Sequence, residues 1–293
     1  MIRLPAPIAA VALLLWFAVA PPLTHEAKAQ MPAQTSRPQE RVASECLAIA
    51  QRLPSVTFVS TAAAPTARGS VTITYVGHST YQIETPGDVV IATDYNGVYR
   101  PPRLPTLVTM NHAHSTHYTL SPDPRIRHVL HGWRDDGSPA SHMLNVGDVV
   151  IRNVTTDIRA FRYGYSFRGG DGEPMQKDGN SIFIFETAGL CIGHLGHLHH
   201  RLDDSHIAAI GRLDIVMVPI DDSVTMSVGA MTDLTKRLRS SIVLPMHRFG
   251  ISLEDFIRQI GGGLAVDQRG ERSFSVSRET LPKAPTVIIL DGV

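Results

Sequence analysis

The sequence predicts an α/β domain, and three observations carry that expectation. β-Branched runs broken by Gly, Ser and Pro fill the stretch from Ser70 to Thr93. Strand-like and helix-like segments then alternate through the second half, an order that packs helices on the outside of a sheet. Histidines cluster where apolar strands give way to loops, so that one edge of a sheet can gather them.

The chain opens with Arg3 and an unbroken apolar run, Ile8 to Ala20, followed by Pro21-Pro22 and a polar stretch closing on Ala27-Lys28-Ala29. That order is a secretory signal over 1–29 with cleavage after Ala29. Thirteen apolar residues fall short of the twenty or so that a spanning helix needs, so no stable membrane insertion is expected after cleavage. An uncleaved N-terminal anchor is the other reading. Either way the domain is exported, to the periplasm or beyond the cell.

Residues 30–43 are polar and read as a disordered leader, with a single domain over 44–293. Ser44 can cap a helix from Glu45 to Leu53, which Pro54 ends. Ser70 to Gly77, Thr80 to Glu84 and Asp88 to Thr93 form an antiparallel meander. Further strands are expected at Thr106 to Met110, Asp148 to Val154, Ser181 to Glu186, Asp214 to Pro219, Ser241 to Pro245 and Thr286 to Leu290. Helical periodicity marks Asp204 to Ile210, Val228 to Leu238 and Leu253 to Ile260. The glycine-rich stretch from Tyr163 to Gly179 reads as a mobile lid or an exposed loop.

Composition narrows the function. Lys and Arg number 27, against 27 Asp and Glu, so the net charge is zero and the basic footprint of a nucleic-acid binder is missing. Cys46 and Cys191 fit no Cys-x-x-Cys motif. An oxidising compartment permits a bridge between them, while the apolar surroundings of Cys191 favour a buried, inert thiol. Both readings stay open.

The fourteen histidines carry the chemistry. Seven fall in two short runs, His112, His114 and His117 in TMNHAHSTH, and His194, His197, His199 and His200 in IGHLGHLHH. In His112-x-His114 the alternation of a strand puts both rings on one face, and His117 can curl back once the chain leaves the strand. His247, in VLPMHRF, also follows a strand. Four histidines in seven residues cannot all point at one ion. The expected site brings His112, His114 and His247 to one sheet edge, with His117 and His194 within reach.

TMNHAHSTH resembles the H-x-H-x-D-H signature of the metallo-β-lactamase fold superfamily, in its branch of small metal-dependent hydrolases that includes lactonases and phosphodiesterases. ITYVGHSTYQIET is similar to the opening hairpin of that branch, ATDY to its strand-end aspartate, GHLGH to its G-D-x-G-H turn, and VLPMH to its final histidine strand. The match runs from about Ser70 to Gly250. The resemblance implies a four-layer αββα sandwich with the metal at one edge. Two positions depart from the pattern: Thr116 stands where the resemblance puts an aspartate, and His194 where it puts the aspartate bridging two metals.

Two divalent ions about 3.5 Å apart repel by roughly 19 kcal/mol at an effective dielectric near 20, and neutral histidines offset little of that. One ion is therefore expected. Imidazole donors suit zinc first and iron next, rather than magnesium or manganese. The leading function is a hydrolase in which a zinc-bound hydroxide attacks an ester, lactone or phosphodiester bond of a small molecule. Asp221, or Asp222 beside it, stands in for the missing base, His78 contacts substrate or supports a ligand, and Thr116 lies near the metal without ligating it. The alternative is an exported metal- or ligand-binding protein of the same fold without hydrolytic activity. A metal-free domain sensing pH through its histidines is the third reading.

Overall fold

The computed structural model describes residues 44–48, 69–111, 115–159, 175–222, 224–249, 253–260 and 264–293, all within the unit Arg41–Val293. The expected signal (1–29) and leader (30–43) lie outside the described residues, as do His112 and His114.

The chain order is α1 (Glu45–Ala48), β1 (Val71–Gly77), β2 (Thr80–Glu84), β3 (Val90–Ala92), β4 (Leu107–Met110), β5 (His128–His131), β6 (Met143–Val146), β7 (Val149–Arg159), β8 (Met175–Thr187) and β9 (Leu190–His194). There follow α2 (Asp204–Ile210), β10 (Ile215–Pro219), α3 (Val228–Leu238), β11 (Ile242–Met246), α4 (Leu253–Ile260), β12 (Ala265–Gln268), β13 (Ser273–Val276) and β14 (Thr286–Ile289). The strands make two mixed sheets, one of order β13-β1-β2-β3-β4-β5 and one of order β12-β14-β11-β10-β9-β8-β7-β6.

Alternation decides which side chains meet between the sheets. Along β1, Val71, Ile73 and Tyr75 are buried and the residues between them are not. They join Ile83, Ile151, Phe183, Phe185 and Ile192 in one large core. Strand β4 is buried on both faces: Leu107 belongs to that core, while Val108 and Met110 belong to a second cluster. Among the described residues, Ala92, Tyr95, Ile126 and Trp133 complete this second cluster on the outer side of the six-stranded sheet. On the outer side of the other sheet, α3 and α4 add Met231, Leu234, Phe256 and Ile260 to the large core, each such burial being worth about 1.5–3 kcal/mol. Helices α2 and α3 are capped by Asp203 accepting from the His206 N–H and by Ser227 accepting from the Ala230 N–H.

β9, β10 and β11 run parallel, with Met217 beside His194 and Pro219 beside Met246. Their C-terminal ends therefore share one edge, and the residues leaving β10 and β11 emerge there together. The β1–β2 turn, carrying His78, meets the same edge: the His247 N–H donates to the His78 carbonyl at 2.9 Å.

Three details differ from, or decide between, the expectations above. β7 and β8 are longer than the sequence suggests, so 175–179, expected as loop, is strand, while the rest of that loop lies outside the described residues. The helix expected from Glu45 to Leu53 is described only over Glu45–Ala48. Cys46 and Cys191 form a disulfide, with Cα atoms 6.0 Å apart. The bridge is reinforced by Glu186, which accepts from Ser44 Oγ and from the Glu45 and Cys46 amides, and pairs with buried Arg152 at 2.8 Å. Among the described residues no helix is long and apolar enough to cross a membrane.

Candidate metal centre

Three histidines from three separate segments come together where the parallel strands end. One nitrogen from each of His78, His117 and His247 lies within 4.8 Å of the other two. The ring centroids stand 4.4 Å apart for His78 and His247 and 5.1 Å apart for the other two pairs. His117 and His247 are almost wholly buried, and His78 is partly exposed.

Each buried ring is held by a carboxylate. His117 Nδ1 is 2.9 Å from Asp94 Oδ2, and His247 Nδ1 is 2.8 Å from Asp221 Oδ2. A ring whose Nδ1–H donates to a carboxylate keeps its lone pair on Nε2, the state in which imidazole binds a metal. The carboxylates are themselves fixed. Asp94 Oδ1 accepts from Asn111 Nδ2 at 2.6 Å, and Asn111 Oδ1 accepts the Ser181 N–H. Asp221 accepts from the Val224 and Thr225 amides, from Thr225 Oγ1, and from His247.

Burial pushes Asp94 up, but attraction to the His117 and His194 rings and the hydrogen bonds from His117 and Asn111 hold it below the usual carboxylate range. Burial also works against Asp221, and the His247 and Thr225 contacts outweigh it, bringing that carboxyl to about 2. Burial lowers His117, with the Asp94 carboxylate opposing it incompletely, a direction that favours the neutral ring a metal takes.

His78 is positioned differently. Its Nε2 is 2.8 Å from Thr116 Oγ1, and its carbonyl accepts from Tyr75 Oη and from the His247 N–H. When the ring N–H donates to the Thr116 hydroxyl, the lone pair lies on Nδ1. His78, Asp94 and His247 all take left-handed backbone, with φ of 54°, 45° and 52°. Such conformations cost of order 1–3 kcal/mol each for a non-glycine residue and persist where surrounding bonds impose them.

The other sequence-selected residues are placed as follows. His194 sits fully buried behind the cluster, its Nδ1 accepting the Gly196 N–H and its Nε2 2.8 Å from the Ser79 carbonyl. An accepting Nδ1 and a donating Nε2 use up both nitrogens, so the ligand role expected for His194 has no lone pair to perform it. Asp221 lies at the site, yet its oxygens are filled by four donors. It faces His247, and these bonds occupy the oxygens that a base would use. Asp222 accepts the Val228 N–H at the start of α3.

Of the second histidine run, His197 reaches the cluster, 4.6 Å from the His117 ring and 4.8 Å from the His247 ring. His199 and His200 instead accept the Arg159 and Asp157 amides of β7. The sequence reading placed His197 in the second histidine run and at the end of GHLGH, the segment similar to a G-D-x-G-H turn, but did not select it as a ligand.

Two mixed sheets with an imidazole centre buttressed by aspartates at their shared edge define a class of metal-binding α/β sandwich. The chain belongs to the family described as the beta-lactamase superfamily domain, whose model matches residues 72–247, and its fold is that of the metallo-β-lactamase superfamily. It is 23% identical over 190 residues to a protein of Opitutus terrae named UPF0173 metal-dependent hydrolase, covering 60% of this chain and 83% of that one. A protein of the same description from Methanosarcina barkeri is 26% identical over 205 residues, covering 64% and 86%. A solved structure of a candidate Zn-dependent hydrolase of the metallo-β-lactamase superfamily, from Thermotoga maritima, superposes with a TM-score of 0.54 at 21% identity, covering 75% of this chain and 98% of that one.

Proposed function

We propose that the protein is an exported metal-dependent hydrolase, with one zinc ion held through His78, His117 and His247. The observation that carries this reading is the convergence of three imidazoles within 4.8 Å, two of them backed by buried carboxylates. All three donors are nitrogen, which suits zinc, or iron next, over the oxygen-seeking magnesium and manganese. The names of the relatives, which are metal-dependent hydrolases, support the same class.

Zinc bound here would bring a water's pKa to about 7 and supply the nucleophile at neutral pH. The chain's own residues do the rest. Asp94 and Asp221 fix the tautomers of His117 and His247, and the Thr116 hydroxyl holds the His78 ring. The partly exposed His78 marks the side from which a small ester, lactone or phosphodiester can approach. The Cys46–Cys191 bridge supports an oxidising destination, the periplasm or the medium.

One observation favours the second reading, a binding protein without turnover: both buried aspartates are committed to orienting histidines, and neither remains as a base. Elemental analysis of purified protein followed by assays on ester, lactone and phosphodiester panels separates the two. About one zinc per chain with turnover lost on chelation is the expected result. Bound zinc without turnover on any panel would favour the second reading, and absence of bound transition metal would overturn the zinc-hydrolase reading.

A further inference from the structure

Two buried tyrosines tie together the segments that carry His78 and His247. Tyr75 on β1 and Tyr81 on β2 are directly paired residues of the hairpin whose turn carries His78, and in sequence they bracket that turn as YVGHSTY. Both side chains are almost wholly buried in the large core, and their rings pack with centroids 5.2 Å apart.

A tyrosine hydroxyl can donate or accept, but a carbonyl only accepts, so a hydroxyl that meets a carbonyl is the donor. Tyr75 Oη donates to the His78 carbonyl at 3.2 Å, within its own sheet. Tyr81 Oη donates to the Pro245 carbonyl at 2.8 Å, reaching across to β11 in the other sheet, two residues before His247. A third bond closes the figure: the His247 N–H donates to the same His78 carbonyl at 2.9 Å, so that both lone pairs of that oxygen are used. None of the three bonds uses an imidazole nitrogen. His78 and His247 both hold left-handed backbone, with φ of 54° and 52°, a conformation that relaxes unless surrounding bonds impose it.

We propose that Tyr75 and Tyr81 are a pair of positioning residues that set the separation of His78 and His247 before any metal arrives. Tyr75 fixes the turn at one end, and Tyr81 fixes the end of β11 at the other. Their packed rings hold the two hydroxyls at a constant spacing between the sheets. Ligands that already stand at their final separation bind an ion more tightly, because less conformational freedom is lost on binding. The proposal rests on the metal-hydrolase reading for what His78 and His247 hold; the tyrosine clamp on their backbones does not.

Phenylalanine at either position keeps the ring and removes only the hydroxyl. Tyr75→Phe is the cleaner variant, since the His78 carbonyl retains the His247 N–H. Zinc affinity, measured by competition with a chromophoric chelator, should fall about tenfold in Tyr75→Phe and in Tyr81→Phe, the lower end of what a partner behind a ligand contributes. The double variant should lose less than the product of the two, because release at one end already frees the separation. Cobalt-loaded protein at saturation gives a readout that a mere loss of fold stability would not move. Its visible absorption reports ligand geometry and should change in both variants. Unchanged zinc affinity, or an unchanged cobalt spectrum, in Tyr75→Phe would overturn the proposal.

Amide hydrogen exchange of the metal-free protein separates this proposal from the hydrolase reading. The His247 amide should exchange about fivefold faster in Tyr75→Phe, the fold-change of one neutral hydrogen bond, while the Leu244 amide inside β11 keeps its rate. Equal His247 rates in the two proteins would overturn the clamp even if zinc binds. Failure of the unmodified protein to bind zinc or cobalt, with His247 exchange still accelerated in the variant, would sink the hydrolase reading and support the clamp.

Discussion

At His247 the Nδ1–H is taken by Asp221, and the other lone pairs of that carboxylate are filled by two amides and a hydroxyl. Removing the charge while keeping the shape isolates what the carboxylate does for the ring. Asp221→Asn should lower zinc affinity about 10- to 100-fold, the usual cost of losing a partner behind a ligating histidine, measured by competition with a chromophoric chelator. The far-ultraviolet circular dichroism should stay unchanged; full zinc affinity in the variant would show that the pair is structural only. His194 gives the converse test. Its ring joins the Gly196 amide to the Ser79 carbonyl, so His194→Ala should destabilise the fold by about 2–4 kcal/mol in urea unfolding and leave zinc stoichiometry intact. Loss of metal with little change in stability would restore His194 as a ligand. Both outcomes hinge on which nitrogen of a ring carries the proton, which no spacing in the sequence records.

Among the elements, α2, α3 and α4 begin and end where periodicity puts them, because each presents one apolar stripe and α2 and α3 each have a capping side chain. The central strands were legible for the same reason: β10 and β11 are buried along their whole length and read as continuous apolar runs. The short strands β5, β6, β12 and β13 were not, since at most half of the residues in each are buried and no continuous apolar run marks them. The site was legible to a similar depth. Histidine runs at strand ends announced a centre, but the gathering of His78 with His117 and His247, the placing of His194 behind them, and the conversion of His199 and His200 into acceptors for β7 amides depend on packing that only the tertiary fold supplies. Helix α1 is described over Glu45–Ala48. Its attachment depends on the disulfide and on Glu186. Cys46→Ser should cost about 2–5 kcal/mol in reversible unfolding, and Glu186→Ala about 3–5 kcal/mol, because buried Arg152 loses its counter-charge. Wild-type stability in either variant, read from denaturant midpoints, would show that the clasp adds nothing.

For the whole molecule, the three candidate ligands come from the β1–β2 turn, the segment after β4 and the end of β11, so an ion there would join the two sheets at their common edge. A ligand that binds only the folded state stabilises it by about 4 kcal/mol when present at a thousand times its dissociation constant. For a domain of this size that corresponds to roughly 10 °C in Tm, which differential scanning calorimetry with zinc and with chelator should reveal; identical transitions would argue against a bridging ion. The six-stranded sheet has a further property. Its β1 edge is closed by β13, whose Ser275 meets Thr72 across a separation of 203 residues. A ribosome must therefore finish most of the polypeptide before that sheet can close, and until then the β1 edge waits without its partner. On the proposed export this delay would matter, because a translocation channel admits only unfolded polypeptide, and the late position of one short, half-exposed strand would let the sheet lock after delivery.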